Sequence, residues 1–420
     1  MCREVWSAVL LPTRLEASIS AQMTVAAATG AVPDILVSLF VVLAAAKLGD
    51  ELFKRLGQPT LVGEILAGVV IGPSVLGLVE PDLALEVFAE LGVVFLLFWV
   101  GLETKLSDMR AVGAGAARVG VLGVVVPFAC GYGAASLLGE SSETSVFVGA
   151  ALVATSVGIT SAVLIELGAL ATRAARTILG AAVIDDILAM VLLAVAVGVA
   201  EQGGVDVVAI AWVIGIAVAF VAFVALGGTR IVARWPDVFH APRFSESPLL
   251  PAVIACLGLA AFAAQIGLAA IIGAFLAGMV VAETKDRHDF EQEIAPLYAF
   301  FPPFFFAFIG LEVDLAAFAD LETDAALVGL TALAFATKFG AGWLAARPMG
   351  RADAVVVGLG MVPRGEVGII VAGIGATTGV ITDDLFAVIV GMSIATTLLV
   401  PPLLRRALTR GEARAQGTGG

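Results

Sequence analysis

Two adjacent aspartates lie in the middle of an apolar run, Gly180-Ala-Ala-Val-Ile-Asp185-Asp186-Ile-Leu-Ala-Met-Val-Leu-Leu. A charge at the centre of a membrane span costs at least about 2.5 kcal/mol on insertion scales, and such groups normally face a water-filled cavity and handle ions or protons. Repulsion between neighbouring carboxylates favours keeping a proton on one of them. Successive helical residues point about 100° apart, so one aspartate can face a cavity while the other faces a neighbouring helix. Two cations, Lys338 and Arg364, also fall at membrane depth, the second close to Glu366. A lysine in such a place can lose its proton, whereas an arginine effectively cannot. Thr155 and Ser156 add hydroxyl and carbonyl oxygens, the ligand type that hard cations prefer. These residue types suit the handling of protons and small cations.

The elements that must carry them are membrane helices. Of the 420 residues 60% are hydrophobic and 14% charged, against roughly 25% charged in soluble domains, and mean hydropathy is +1.05. A helix needs about 20 apolar residues to span the bilayer. Thirteen spans are expected, at 33–56, 60–78, 86–104, 112–138, 145–168, 174–200, 205–227, 246–266, 269–284, 295–312, 324–346, 353–378 and 383–405, the eighth and ninth divided near Gly267. Residues 1–32 read as an extension that makes a poor signal peptide, with Met23 an alternative start. The stretch 406–420 reads as a short cytoplasmic tail.

Loops after odd-numbered spans hold Lys54, Arg55, Lys105, Arg110, Arg118, Arg173, Arg176, Arg230, Arg234, Arg243, Lys285, Arg287, Arg347 and Arg351. Loops after even-numbered spans hold none and carry acids instead, such as Glu80, Asp82, Glu140, Glu143, Asp320 and Asp383. Cytoplasmic loops collect Lys and Arg. This pattern puts the N-terminus outside and the C-terminus in the cytoplasm of a multi-pass plasma-membrane protein.

Three triplets recur in order. Leu66-Ala67-Gly68 returns as Leu276-Ala277-Gly278, Gly101-Leu102-Glu103 as Gly310-Leu311-Glu312, and Val157-Gly158-Ile159 as Val367-Gly368-Ile369, at offsets of 209 or 210 residues. The offset covers seven spans, an odd number, so spans 1–6 and 8–13 form two inverted six-helix repeats joined by span 7. Transporters use such repeats and bind their substrate near the midplane between them. In span 5 the run Ala154-Thr-Ser-Val-Gly-Ile-Thr-Ser161 makes a weak helix centre. In span 12 Pro363 removes a backbone donor amid Gly358, Gly360, Gly365 and Gly368. Unwound backbone at membrane depth is tolerated only inside protein or beside a cavity, and the repeat pairs these two segments. Two crossed broken helices are therefore expected, with Arg364 and Glu366 as structural support at the crossing, paired with each other or with Glu166. Glu64 belongs to the interface or a cavity rim, and Glu103 and Glu312 to helix ends in solvated or interfacial positions.

At this point the chain resembles the monovalent cation:proton antiporters, of the electrogenic NhaA/NapA type with thirteen spans. The resemblance rests on Ala154-Thr155-Ser156-Val157-Gly158-Ile159-Thr160, Ile184-Asp185-Asp186, Lys338 and Pro363-Arg364-Gly365-Glu366-Val367-Gly368, and extends over 33–405. It implies an all-α polytopic membrane protein of NhaA-like fold. It makes Asp186 the ion- and proton-carrying carboxylate, with Asp185, Thr155 and Ser156 around it, and pairs Lys338 with Asp185. It also implies a moving core of 112–200 and 324–405, a scaffold of 33–104 and 246–312, a linker at 205–227, an elevator motion and a homodimer.

The expected activity is exchange of Na⁺, and of Li⁺, for H⁺, without cofactor or resident metal. The alternatives are K⁺ or broad monovalent exchange and, further off, a sodium-coupled organic anion symporter. Symporters of that kind are expected to lack the aspartate pair and the span-11 lysine. A channel or a glutathione-gated potassium efflux protein would be expected to carry a soluble nucleotide-binding domain after the last span. No phosphate loop, metal cluster or nucleophile triad points to an enzyme, and nothing points to nucleic acid. Cys2, Cys130 and Cys256 fit no disulfide or metal spacing, and His240 and His288 fall in expected loops.

Overall fold

The computed structural model describes residues 34–104, 106–202, 207–228, 230, 234, 249–283, 290–313, 315, 321–364 and 366–417. The expected extension 1–32 lies outside the described residues, as do Lys105, His240, Arg243, Lys285, Arg287, His288, Asp320, Gly365 and the side chain of Glu366. Among the described residues all regular structure is helical. Five helices are long and apolar enough to cross a membrane: Leu83–Leu102, Val112–Leu137, Gln292–Leu311, Thr323–Met349 and Asp383–Thr409.

The first half contains α1 (34–55), α2 (Thr60–Ile71), α3 (Leu83–Leu102), α4 (Leu106–Leu137), α5 (Ser142–Ala151), α6 (Val157–Glu166), α7 (Arg173–Gln202) and α8 (Val207–Ala222). The second contains α9 (Leu249–Gln265), α10 (Ala270–Ala282), α11 (Phe290–Phe300), α12 (Pro302–Leu311), α13 (Leu321–Ala346), α14 (Arg351–Gly360), α15 (Glu366–Thr377) and α16 (Asp383–Gly417). Local chemistry sets many of the ends. Gly72-Pro73 stops α2 seven residues before the expected end of that span. Asp82 caps α3 by accepting from the Leu85 N–H at 2.8 Å. Gly267, at φ 80°, turns the chain between α9 and α10. The last helix continues beyond the expected span into the tail region, since α16 runs to Gly417. Residues 405–416 are mostly Arg, Ala, Leu and Glu, good helix formers, with no breaker after Gly411 until Gly417.

The helices pack as two groups. One gathers α4, α5, α7, α13, α14, α15 and α16; the other gathers α2, α3, α9, α10, α11 and α12. Half-helix α6 touches α2, α3, α7 and α16, and so sits at the seam. The repeated triplets explain the closest approaches in the second group. A Cβ on Gly68 would collide with the carbonyl of Ala307, and one on Gly310 with the carbonyl of Ile65. The symmetry-related pair does the same: a Cβ on Gly278 would strike the Phe98 carbonyl, and one on Gly101 the Phe275 carbonyl. Each of these four glycines thus marks a point where the backbones of two helices touch, whereas Gly158 and Gly368 of the third triplet have ordinary or side-chain neighbours. Aromatic rings join α3 to the start of α12, with Phe88 and Phe304 centroids 5.1 Å apart and Phe95 and Phe301 centroids 5.0 Å apart.

Candidate functional site

The segments expected as spans 5 and 12 each consist of two helices. The chain leaves α5 at Leu152 and re-enters α6 at Val157; it leaves α14 at Met361 and re-enters α15 at Glu366. The two extended stretches are bound to each other. The Ser156 N–H donates to the Pro363 carbonyl at 2.8 Å. The Thr155 hydroxyl donates to the Met361 carbonyl at 3.2 Å, and the Thr160 hydroxyl to the Gly360 carbonyl at 2.7 Å. Broken helices strand carbonyls, and buried carbonyls need donors. Here the breaks supply them to one another.

Two buried cations take two carbonyls of the first break, those of Val153 and Ala154. Lys338, on α13 and 0% exposed, donates to Val153 O at 2.5 Å, to Gly123 O of α4 at 2.8 Å and to Asp185 Oδ1 at 2.7 Å. All three of its protons therefore meet oxygen. Arg364 donates to Ala154 O at 3.1 Å and to Ala334 O at 3.2 Å, while the Thr397 hydroxyl donates to its carbonyl at 2.7 Å. Consecutive carbonyls beyond α5, those of Val153 and Ala154, are thus each held by a different cation. The negative end of the half-helix favours both.

The helical offset separates the two aspartates as expected. Asp185 is fully buried against Lys338, and its Oδ2 has no hydrogen-bond partner among the described residues. Asp186 instead lines a cavity of about 350 Å³. One wall comes from Met190, Arg364, Ser393 and Thr397, the other from Glu86, Glu90, Phe305 and Ile309, with Glu312 at the rim. On its other side Asp186 meets apolar side chains, among them Leu97, Val157, Leu179, Ile272 and Phe275, with only about 10 Å³ of space. That is about the limit for a single water.

The far end of α6 corrects one expectation. Glu166 does not meet Arg364, because the ten residues of α6 put it about 15 Å from the break. It accepts from the Thr60 N–H at 3.0 Å and the Thr60 hydroxyl at 3.3 Å, with Arg405 at 3.8 Å. Glu166 thereby caps α2, whose N-cap residue Pro59 supplies no side-chain cap. Glu312 stands at the C-terminal end of α12, exposed as expected, and there it also lines the cavity. Glu64 is buried beside Lys47 at 3.5 Å. Sequence reasoning missed the carbonyls of Gly123 and Val153 and the hydroxyl of Thr397. Backbone oxygens carry no sequence signal, and a threonine in an apolar helix reads as packing. Around the site no metal-binding cluster of His, Cys, Asp or Glu occurs among the described residues.

A helical membrane fold with crossed breaks around buried carboxylates and an ammonium defines an ion-coupled secondary transporter. Comparison with known proteins sharpens this. Residues 36–409 match the model of the family described as sodium/hydrogen exchanger, transmembrane. The chain is 37% identical to the Na(+)/H(+)-K(+) antiporter GerN of Bacillus cereus, over 87% of this chain and 94% of that protein. It is 35% identical to the high-affinity Na(+)/H(+) antiporter NhaS3 of Synechocystis, over 88% and 89%. Its fold matches the sodium proton antiporter MjNhaP1 of Methanocaldococcus jannaschii with a TM-score of 0.65 at 18% identity, covering 90% of this chain and 98% of that one. The chain belongs to the sodium/hydrogen exchanger family.

Proposed function

We propose that this chain exchanges Na⁺ for H⁺ across the membrane, with Asp186 as the carboxylate for which cation and proton compete. The carrying observation is the division of labour between the aspartates: Asp186 opens on the cavity while Asp185 is held by Lys338. We assign Asp185, Thr155 and Ser156 as sources of further oxygen ligands for a dehydrated Na⁺ at Asp186. Its charge repels the ammonium of Lys338, which can release a proton where an arginine cannot. Arg364 keeps a fixed charge at the crossing. Two protons released for each Na⁺ bound would make the exchange electrogenic. Relatives named as Na⁺/H⁺ antiporters support the substrate pair.

The architecture we assign to this activity is thirteen crossings in two inverted repeats, of NhaA-like plan. The helix group carrying Asp186 and Lys338 slides against the group containing α3 and α10, and the second group pairs two copies into a dimer. The Lys and Arg distribution orients the Glu86–Glu312 end of the cavity outward and Glu166 toward the cytoplasm. Potassium is the second reading, favoured by the name of the Bacillus cereus relative.

The test uses proteoliposomes with an acid interior and a pH-sensitive dye. Na⁺ and Li⁺ added outside are expected to collapse the gradient while K⁺ and choline do not, at a rate that responds to a valinomycin-clamped potential. Collapse by K⁺ alone would overturn the sodium reading, and no dependence on potential would overturn electrogenic exchange.

A further inference from the structure

The loop between α13 and α14 holds a second polar feature, remote from the ion site in function and chemistry. A cavity of about 530 Å³ is lined by Trp343, Arg347, Gly350 and Arg351. The Arg347 guanidinium lies over the Trp343 ring, 4.9 Å from its centroid, an arrangement that fixes the charge and leaves its edge free to bond. Arg351 opens α14, and Gly350 before it, at φ 106°, offers no side-chain cap to the first turn. Neither arginine forms an ion pair among the described residues, and Asp353, the acid in that first turn, pairs with neither. Two guanidinium groups thus converge on a concave site with no carboxylate to satisfy them. Planar guanidinium forks match phosphate oxygens.

The helix leading to this pocket presents an exposed apolar stripe. Ala325, Gly329, Ala332 and Ala336 are exposed at three- and four-residue spacing, and Trp343 and Arg347 continue that face. Val328 is 68% and Leu344 55% exposed beside it. An apolar stripe, then an indole, then two arginines is the order of chemistry in one phospholipid: acyl chain, interface, headgroup. We infer that the Trp343–Arg347–Arg351 pocket binds the phosphate headgroup of an anionic phospholipid whose acyl chains lie along α13.

The occupant can be tested on the purified full-length protein by thermal unfolding in detergent, with added phosphatidylglycerol, phosphatidylcholine or inorganic phosphate. Phosphatidylglycerol is expected to raise the midpoint by at least about 2 °C above phosphatidylcholine, and inorganic phosphate to leave it unmoved. The double variant Arg347→Gln/Arg351→Gln is expected to lose that difference. Should it fail to fold, Arg351→Gln alone is expected to reduce it. Equal midpoints with the two lipids, an undiminished difference in the variants, or the same shift with inorganic phosphate would each overturn the assignment.

Discussion

Lys338 donates three protons to three oxygens of three different elements: α4, the break after α5, and α7. Removing it leaves the buried Asp185 carboxylate uncompensated, a loss of about 3 kcal/mol or more when one partner of a buried pair is deleted. Lys338→Met is therefore expected to lower the unfolding temperature sharply, and adding Asp185→Asn to restore part of the loss. A double variant no more stable than Lys338→Met would show that the pair does not couple. Lys338→Arg keeps a charge that cannot leave, and its planar fork does not match three oxygens grouped around one nitrogen. Transport by that variant is expected to fall well below wild type, as read from initial Na⁺-driven proton flux; an unchanged rate would rule out proton release from residue 338.

At the scale of elements, the repeat decides where helices touch. Gly68 and Gly310 approach each other's helices so closely that a methyl group at either has no room. Overpacking of this kind costs about 1–3 kcal/mol or more. Gly310→Ala is expected to reduce thermal stability, whereas Gly113→Ala, with nothing near its added methyl, is expected to keep or slightly raise it, since Ala is the better helix former. Equal effects in thermal unfolding would contradict the assigned contacts. The helix breaks were legible in the sequence because Pro363 and the Thr155-Ser156 run are local signals. The link between Glu166 and Thr60 was not, because it joins residues 106 apart through a backbone N–H. The same limit hid the Val153 and Gly123 carbonyls that complete the cage around Lys338. What the sequence did carry for this site was charge at membrane depth, since such charges are too costly to be incidental.

At the scale of the whole molecule, Asp186 reaches a cavity on one side and an apolar seam on the other. Glu166, Thr60 and Arg405 tie the two helix groups together at the sealed end. Under the proposed sliding of the two groups, exchange of access requires that tie to open when the cavity closes. Being partly exposed, it contributes about 1 kcal/mol at most, enough to shift the balance of states roughly fivefold without locking it. In Glu166→Gln, amide exchange at the start of α2 is expected to speed up while that of α4 stays unchanged; identical exchange in both would remove the tie as a gate.

The most direct test of the central claim compares wild-type protein with Asp186→Asn in proteoliposomes, recording Na⁺ uptake and proton release together. Folding of the variant is checked by its unfolding temperature. The expected result is coupled flux in the wild type and background flux in a well-folded Asp186→Asn. Coupled exchange at wild-type rate in that variant would contradict Asp186 as the residue for which sodium and proton compete.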